Sequence, residues 1–264
     1  MGKLWEKTVD ANGKPDLLEI NLDTLRINQP TVIYLSGFLT NNNRPGYIAG
    51  SIKSVQVMLK GRPELPSNPP VYGWSHSGLR NLFNLAVYNT FSSFRSSSAG
   101  YDVGRSVLMP LVAKDFTYAK NGAVTGTPLP LDEVKKNLKN VTFFGYSAGA
   151  IVAQETYNAT LRMMEKIGYA EKDAREALGE VVLLSTGAFS RYTKEKDRFT
   201  TIYLVASNDR MMRVKNWVWG TVGTGLRKIA NLIFGKQKSL VIDPISDTSI
   251  IITTHRPSRS RERR

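Results

Sequence analysis

Val141-Thr142-Phe143-Phe144-Gly145-Tyr146-Ser147-Ala148-Gly149 is the stretch on which the fold turns. Its first half is a short apolar run rich in aromatic and β-branched residues, which reads as a buried strand. The run stops at Gly145-Tyr146-Ser147-Ala148-Gly149, and Ala150-Ile151-Val152-Ala153-Gln154-Glu155-Thr156 opens a helical pattern that covers 150–166. The order is strand, tight turn, helix. A serine held on so sharp a turn needs small neighbours, and Gly145 and Gly149 leave room for the turn to pass the next strand and helix. Ser147 Oγ is then expected above the carboxyl edge of a sheet, with the N–H groups of the helix start aimed at any charge forming there.

On either side of this stretch, apolar strands alternate with helical patterns. Strands are expected at Thr31–Ser36, Val71–Ser75, Val181–Ser185, Thr201–Ala206 and Ser249–Thr253. Helical spacing covers 47–59, where Ile48, Ile52, Val55 and Leu59 recur on one face, and also 102–116, 171–178 and 212–235, with a turn and a short helix over 128–139. The first thirty residues are polar, with a turn at Asn12-Gly13 and a short strand near Leu17–Ile20. This alternation predicts an α/β protein with a mostly parallel central sheet and helices on both faces. Residues 1–255 form a single domain in this reading. Residues 76–100 and 212–235 are expected as cap or lid segments, and 256–264 as a basic, flexible tail. Within 212–235, Val222, Leu226, Ile229 and Ile233 make one stripe, with Arg227, Lys228 and Asn231 opposite.

Composition narrows the function. A chain of 264 residues, 41% hydrophobic, can bury one large core. There are no cysteines, so thiol nucleophiles, disulfides and thiolate metal sites are excluded. Two distant histidines give no ligand cluster, and neither a metal nor another cofactor is expected. Gly220, Gly223 and Gly225 fit neither a dinucleotide fingerprint nor a Walker loop. No apolar run of membrane-spanning length and no apolar leader core is present, and the expectation is a cytoplasmic protein. The net charge is +14, of which Arg256, Arg259, Arg261, Arg263 and Arg264, with one glutamate, contribute +4. Such a charge draws the chain toward anionic partners, nucleic acid or membrane.

A neutral hydroxyl is a poor nucleophile, and it needs an imidazole to take its proton and a carboxylate to orient the ring. Ser147 ends one predicted strand, Asp209 follows the Thr201–Ala206 strand, and His255 follows Ser249–Thr253. The other histidine, His76, follows Val71–Ser75, and Glu195, Asp197, Asp243 and Asp247 are further acids.

The Gly-x-Ser-x-Gly turn and the chain order Ser147, Asp209, His255 resemble the α/β-hydrolase superfamily, in its serine esterase and lipase-like branch, over residues 31–255. The resemblance implies a nucleophile elbow at Ser147, Asp209 as the acid and His255 as the base. It implies an oxyanion hole from the amides of Ala148 and Phe38, the latter in Ser36-Gly37-Phe38-Leu39-Thr40, where serine replaces the family's usual histidine. The implied activity is hydrolysis of a carboxylic ester or thioester through an acyl-enzyme. The apolar segments imply a hydrophobic, lipid-like acyl substrate. The contrasting expectation is a binding or scaffold protein on the same fold, docked to an anionic partner by its basic surface.

Overall fold

Thr31–Leu35 is buried at every position, as a strand must be when both faces of its sheet are covered. The computed structural model describes residues 2–22, 25–36, 45–59, 69–75, 98–119, 122–146, 148–186, 199–205 and 251–255. In chain order the strands are β1 (Lys3–Val9), β2 (Pro15–Glu19), β3 (Thr31–Leu35), β4 (Val71–Ser75), β5 (Ala113–Tyr118), β6 (Val124–Pro128), β7 (Val141–Tyr146), β8 (Val182–Thr186), β9 (Thr200–Val205) and β10 (Ile251–His255). The helices are α1 (Pro45–Leu59), α2 (Ser98–Val103), α3 (Leu131–Leu138), α4 (Ala148–Lys166) and α5 (Glu171–Leu178).

The main sheet runs β2-β1-β4-β3-β7-β8-β9-β10. Its five central strands, β4, β3, β7, β8 and β9, are parallel. β1 and β2 on one side and β10 on the other pair antiparallel. The protein is therefore α/β, with a mostly parallel sheet and helices on both faces.

Alternation along each strand sends side chains to two cores. Val32, Tyr34 and Phe144 join Ile48, Ile52 and Val55 of α1 on one face. Ile33, Leu35, Phe143 and Leu183 join α4 and its neighbours on the other. Helix α4 is enclosed between the sheet and α2, so it is buried on nearly every side from Gly149 to Met164, polar residues included. Its buried Thr156 and Thr160 donate their hydroxyls to the carbonyls of Val152 and Thr156, at 2.8 and 2.7 Å, so neither is left unsatisfied. Phe199 stacks near Phe143 and edge-on to Tyr157, with centroids 5.5 and 5.3 Å apart. This locks the approach to β9 onto both sheet and helix, each ring pair adding about 0.5–1.5 kcal/mol.

Three stretches differ from the sequence expectation. The helix expected over 102–116 stops early: α2 ends at Val103, a π-helical turn and a 3-10 turn follow, and β5 begins at Ala113. Pro110 has no N–H to continue a helix, and Asp115, with φ of 51°, stands in a register shift between Lys114 and Thr117. β5 and β6 form a separate hairpin, announced in the sequence by Asn121-Gly122, a pairing typical of tight hairpin turns. The N-terminal segment is also a hairpin, β1–β2. Asp10 caps its turn by accepting from the amides of Asn12 and Lys14 at 2.9 and 2.7 Å. Of the expected cap segments 76–100 and 212–235, residues 76–97 and 212–235 lie outside the described residues, as does the 256–264 tail, whereas Ser98–Gly100 open α2, with Ala99 buried in the core and Gly100 against Glu155 of α4.

Candidate active site at the carboxyl edge

The turn from β7 into α4 is built on two close backbone approaches. A Cβ on Gly145 would lie 2.7 Å from Ala150 Cα and 2.8 Å from Ala150 N. A Cβ on Gly149 would lie 2.0 Å from the carbonyl oxygen of Leu35, at the end of β3, and 3.1 Å from that of Ser36. These neighbours are backbone atoms with no rotamer to move into, so only glycine fits. Ser147 lies outside the described residues. It is bonded to Tyr146, the last residue of β7, and to Ala148, the first of α4. Tyr146 is 43% exposed, so the edge is open to solvent at that point.

Register carries one level across the sheet. Trp74 stands opposite Leu35, Leu35 opposite Gly145, Gly145 opposite Ser185, and Ser185 opposite Tyr203. Ser75 and Tyr146 are each one residue further toward the carboxyl edge, about 10 Å apart across β3. His76 and Ser147 are the next residues of their chain segments. His76 lies outside the described residues, as do Asp209 and Phe38, which follow Val205 and Ser36 by four and two positions. Ser36 is buried, and its N–H donates to Trp74 O at 3.2 Å. Ser75 is held by the indole of Trp5, whose Nε1 donates to its Oγ at 2.8 Å.

His255 occupies a different level. It stands opposite Thr201, Thr201 opposite Leu183, and Leu183 opposite Phe143. That is three residues back from Tyr146 and three strands away, about 17 Å between backbones. The last strand was expected to run parallel and deliver His255 to the carboxyl edge. Instead, 206–250 leave at Val205 and return at its partner Ile251, so β10 runs back toward the opposite edge. This topology does not bring the backbones of residues 255 and 146 together.

Two features were not anticipated from sequence. On the α1 face, Tyr34 is hydrogen-bonded with Ser51 and Tyr47, and burial pushes its phenol well above the ordinary range. Nearby Tyr146 and Tyr47 raise it further, while the Ser51 bond opposes the shift. The spacing of Tyr47 and Ser51, one helical turn apart, was a usable signal. On the other face Glu155 is fully buried, the sole aspartate, glutamate, lysine or arginine so placed among the described residues. It sits against Gly100 of α2, eight residues beyond Ser147 and about 12 Å along the helix, too far to orient a base at the edge.

Among the described residues, no group of three or more histidine, cysteine or acidic side chains is placed to hold a metal, and no helix is long and apolar enough to cross a membrane. No protein-family model matches the chain, and no curated protein is significantly similar to it in sequence.

Proposed function

We propose that the chain is a serine hydrolase of α/β-hydrolase architecture, acting on a carboxylic ester or thioester with a hydrophobic acyl group. The observation that carries this reading is the turn at Gly145–Gly149, pressed against Ala150 on one side and the end of β3 on the other. Such a turn supports a serine raised at the carboxyl edge of a parallel sheet, beside the free N–H groups of α4. In this reading Ser147 Oγ attacks the acyl carbonyl as an imidazole takes its proton. The amides of Ala148 and Phe38 hold the oxyanion, each contributing about 3 kcal/mol or more to the transition state. The alcohol or thiol leaves with that proton, and water then releases the acid. In this reading segments 76–97 and 212–235 supply the apolar cap.

The family resemblance assigns the base to His255, oriented by Asp209. The register favours His76, which directly follows β4, a strand two places from β7 whose end is level with the turn. The chain has two histidines, and substitution separates them. Turnover of aryl esters over a series of acyl lengths should vanish in Ser147→Ala. With the base at His76, His76→Ala loses about 1,000-fold or more in kcat while His255→Ala retains its rate. The opposite pattern returns the base to His255, and full turnover in Ser147→Ala refutes the hydrolase reading.

A further inference from the structure

On the α1 face of the sheet, hydroxyls gather around one buried phenol at the carboxyl edge. Tyr34 is the next-to-last residue of β3 and stands opposite Phe144 of β7, with ring centroids 6.0 Å apart. Its side chain is enclosed and hydrogen-bonded with Ser51 and Tyr47 of α1. Tyr146 lies two residues beyond Phe144, hence on the same face of β7, and its phenol is close enough to Tyr34 to act on it electrostatically. Among the described residues, the groups that act on Tyr34 are hydroxyls only: Ser51, Tyr47 and Tyr146.

The two outer phenols differ from the inner one. Tyr47 and Tyr146 are 46% and 43% exposed, and among the described residues neither ring is packed against another aromatic ring. Tyr146 is bonded to Ser147, and Tyr47 lies in the first turn of α1. Two large rings therefore stand half open beside the residue read as the nucleophile. The other large hydrophobic side chains exposed among the described residues, Val9, Leu18, Val57 and Met58, belong to the β1–β2 hairpin and to the far end of α1. The Tyr47 hydroxyl is tethered to Tyr34, so its ring is already oriented and loses little freedom when a ligand covers it.

The electrostatics of that surface select its ligand. Tyrosine ring faces are negative, which disfavours an anion. A cation would suit the faces, but the chain's net charge of +14 repels it. A sugar ring brings several hydroxyls that must each be matched as water leaves, whereas Tyr34 and Ser51 are already bonded within the cluster. A neutral aromatic ring meets tyrosine edge-to-face or offset-stacked and gains more than its buried area alone would give. We propose that Tyr47 and Tyr146 form a subsite for an uncharged aromatic ring beside Ser147, so that the substrate class is an ester carrying such a ring. The subsite stands on the placement of the tyrosines; that its ligand is an ester rests on the hydrolase reading.

The test measures kcat/KM of the full chain on ethyl esters of phenylacetic and cyclohexylacetic acid, and on acetates of benzyl alcohol and cyclohexylmethanol. The ring is thus presented on either side of the scissile bond, with a saturated ring of similar size as the control. In one of the two series the phenyl ester should be preferred. Each aromatic contact is expected to contribute about two- to tenfold, so replacing both tyrosines with leucine should lower the phenyl-over-cyclohexyl ratio by about 5- to 100-fold. Tyr47→Leu alone should lower it by about two- to tenfold, which keeps the test decisive if the double variant does not fold. A ratio is unaffected by a general loss of activity. Equal turnover of phenyl and cyclohexyl esters in both series, or a ratio unchanged in the leucine variants, overturns the subsite and leaves the hydrolase. Equilibrium binding of para-fluorophenylacetamide, followed by fluorine NMR, reads the subsite without turnover, and Ser147→Ala should still bind it. If no ester is turned over, the hydrolase reading fails. Probe binding that weakens about twofold or more in the leucine variants then still supports the subsite, and binding that is absent or undiminished overturns it.

Discussion

Adding a single methyl group at Gly149 tests the geometry on which the candidate site depends. The new Cβ would lie 2.0 Å from the carbonyl oxygen of Leu35 and 2.7 Å from its carbonyl carbon, against a practical limit near 3.0 Å. The start of α4 and the end of β3 must therefore separate by about 1 Å or more, and both belong to buried, densely packed elements. Overpacking of this kind costs about 1–3 kcal/mol and sometimes more, whereas replacing glycine by alanine in a helix gains at most about 1 kcal/mol. Strain wins, and Gly149→Ala should lose about 2 kcal/mol or more. Gly50→Ala is the control, because Gly50 lies inside α1 with nothing within 4 Å of a new Cβ, and it should gain about 0.5–1 kcal/mol. Urea unfolding followed by circular dichroism reads both. Equal midpoints for the two variants would refute the close approach of α4 to β3, and with it the placement of the turn.

Further outcomes follow from other contacts. The Tyr169 hydroxyl reaches the carbonyls of Val112 and Leu129, tying the base of the β5–β6 hairpin to the end of α4. Tyr169→Phe leaves them without that donor and should cost about 1–2 kcal/mol in the same unfolding assay. Tyr34 is held neutral in the folded state by burial, while an unfolded tyrosine ionises near pH 10. The folded pKa is the higher one, so its contribution is fully present below about pH 10 and is lost as pH rises above it, by about 1.4 kcal/mol per pH unit. Tyr34→Phe should flatten the alkaline decline seen in urea midpoints measured between neutral and strongly alkaline pH; an unchanged slope would place the phenol in solvent.

Much of the framework was legible because its segments are locally unambiguous. Thr31–Leu35 and Val141–Tyr146 are dominated by β-branched and aromatic residues, and Glu171–Leu178 has both helical spacing and acidic residues in its first turn. β1 was not legible, because Lys3–Val9 mixes charge and apolar residues and only Leu4 is buried. β5 was hidden for a similar reason: its alternation is broken at Asp115, and the helical spacing before it runs on across Pro110. The glycines of the turn could be read locally, since the need for small residues is a local steric one. The direction of β10 could not. Nothing within Ile251–His255 records whether the preceding 45 residues return to the edge they left or cross to the other, and that choice decides whether the backbone of residue 255 ends near the turn.

The most direct test of the central claim is covalent labelling with a fluorophosphonate, which reacts with a hydroxyl only where an adjacent base and oxyanion donors activate it. The account predicts one labelled site at Ser147 and no labelling of Ser147→Ala, in protein whose urea midpoint is unchanged. Labelling that persists in Ser147→Ala, or a folded native chain that takes up no label, contradicts it.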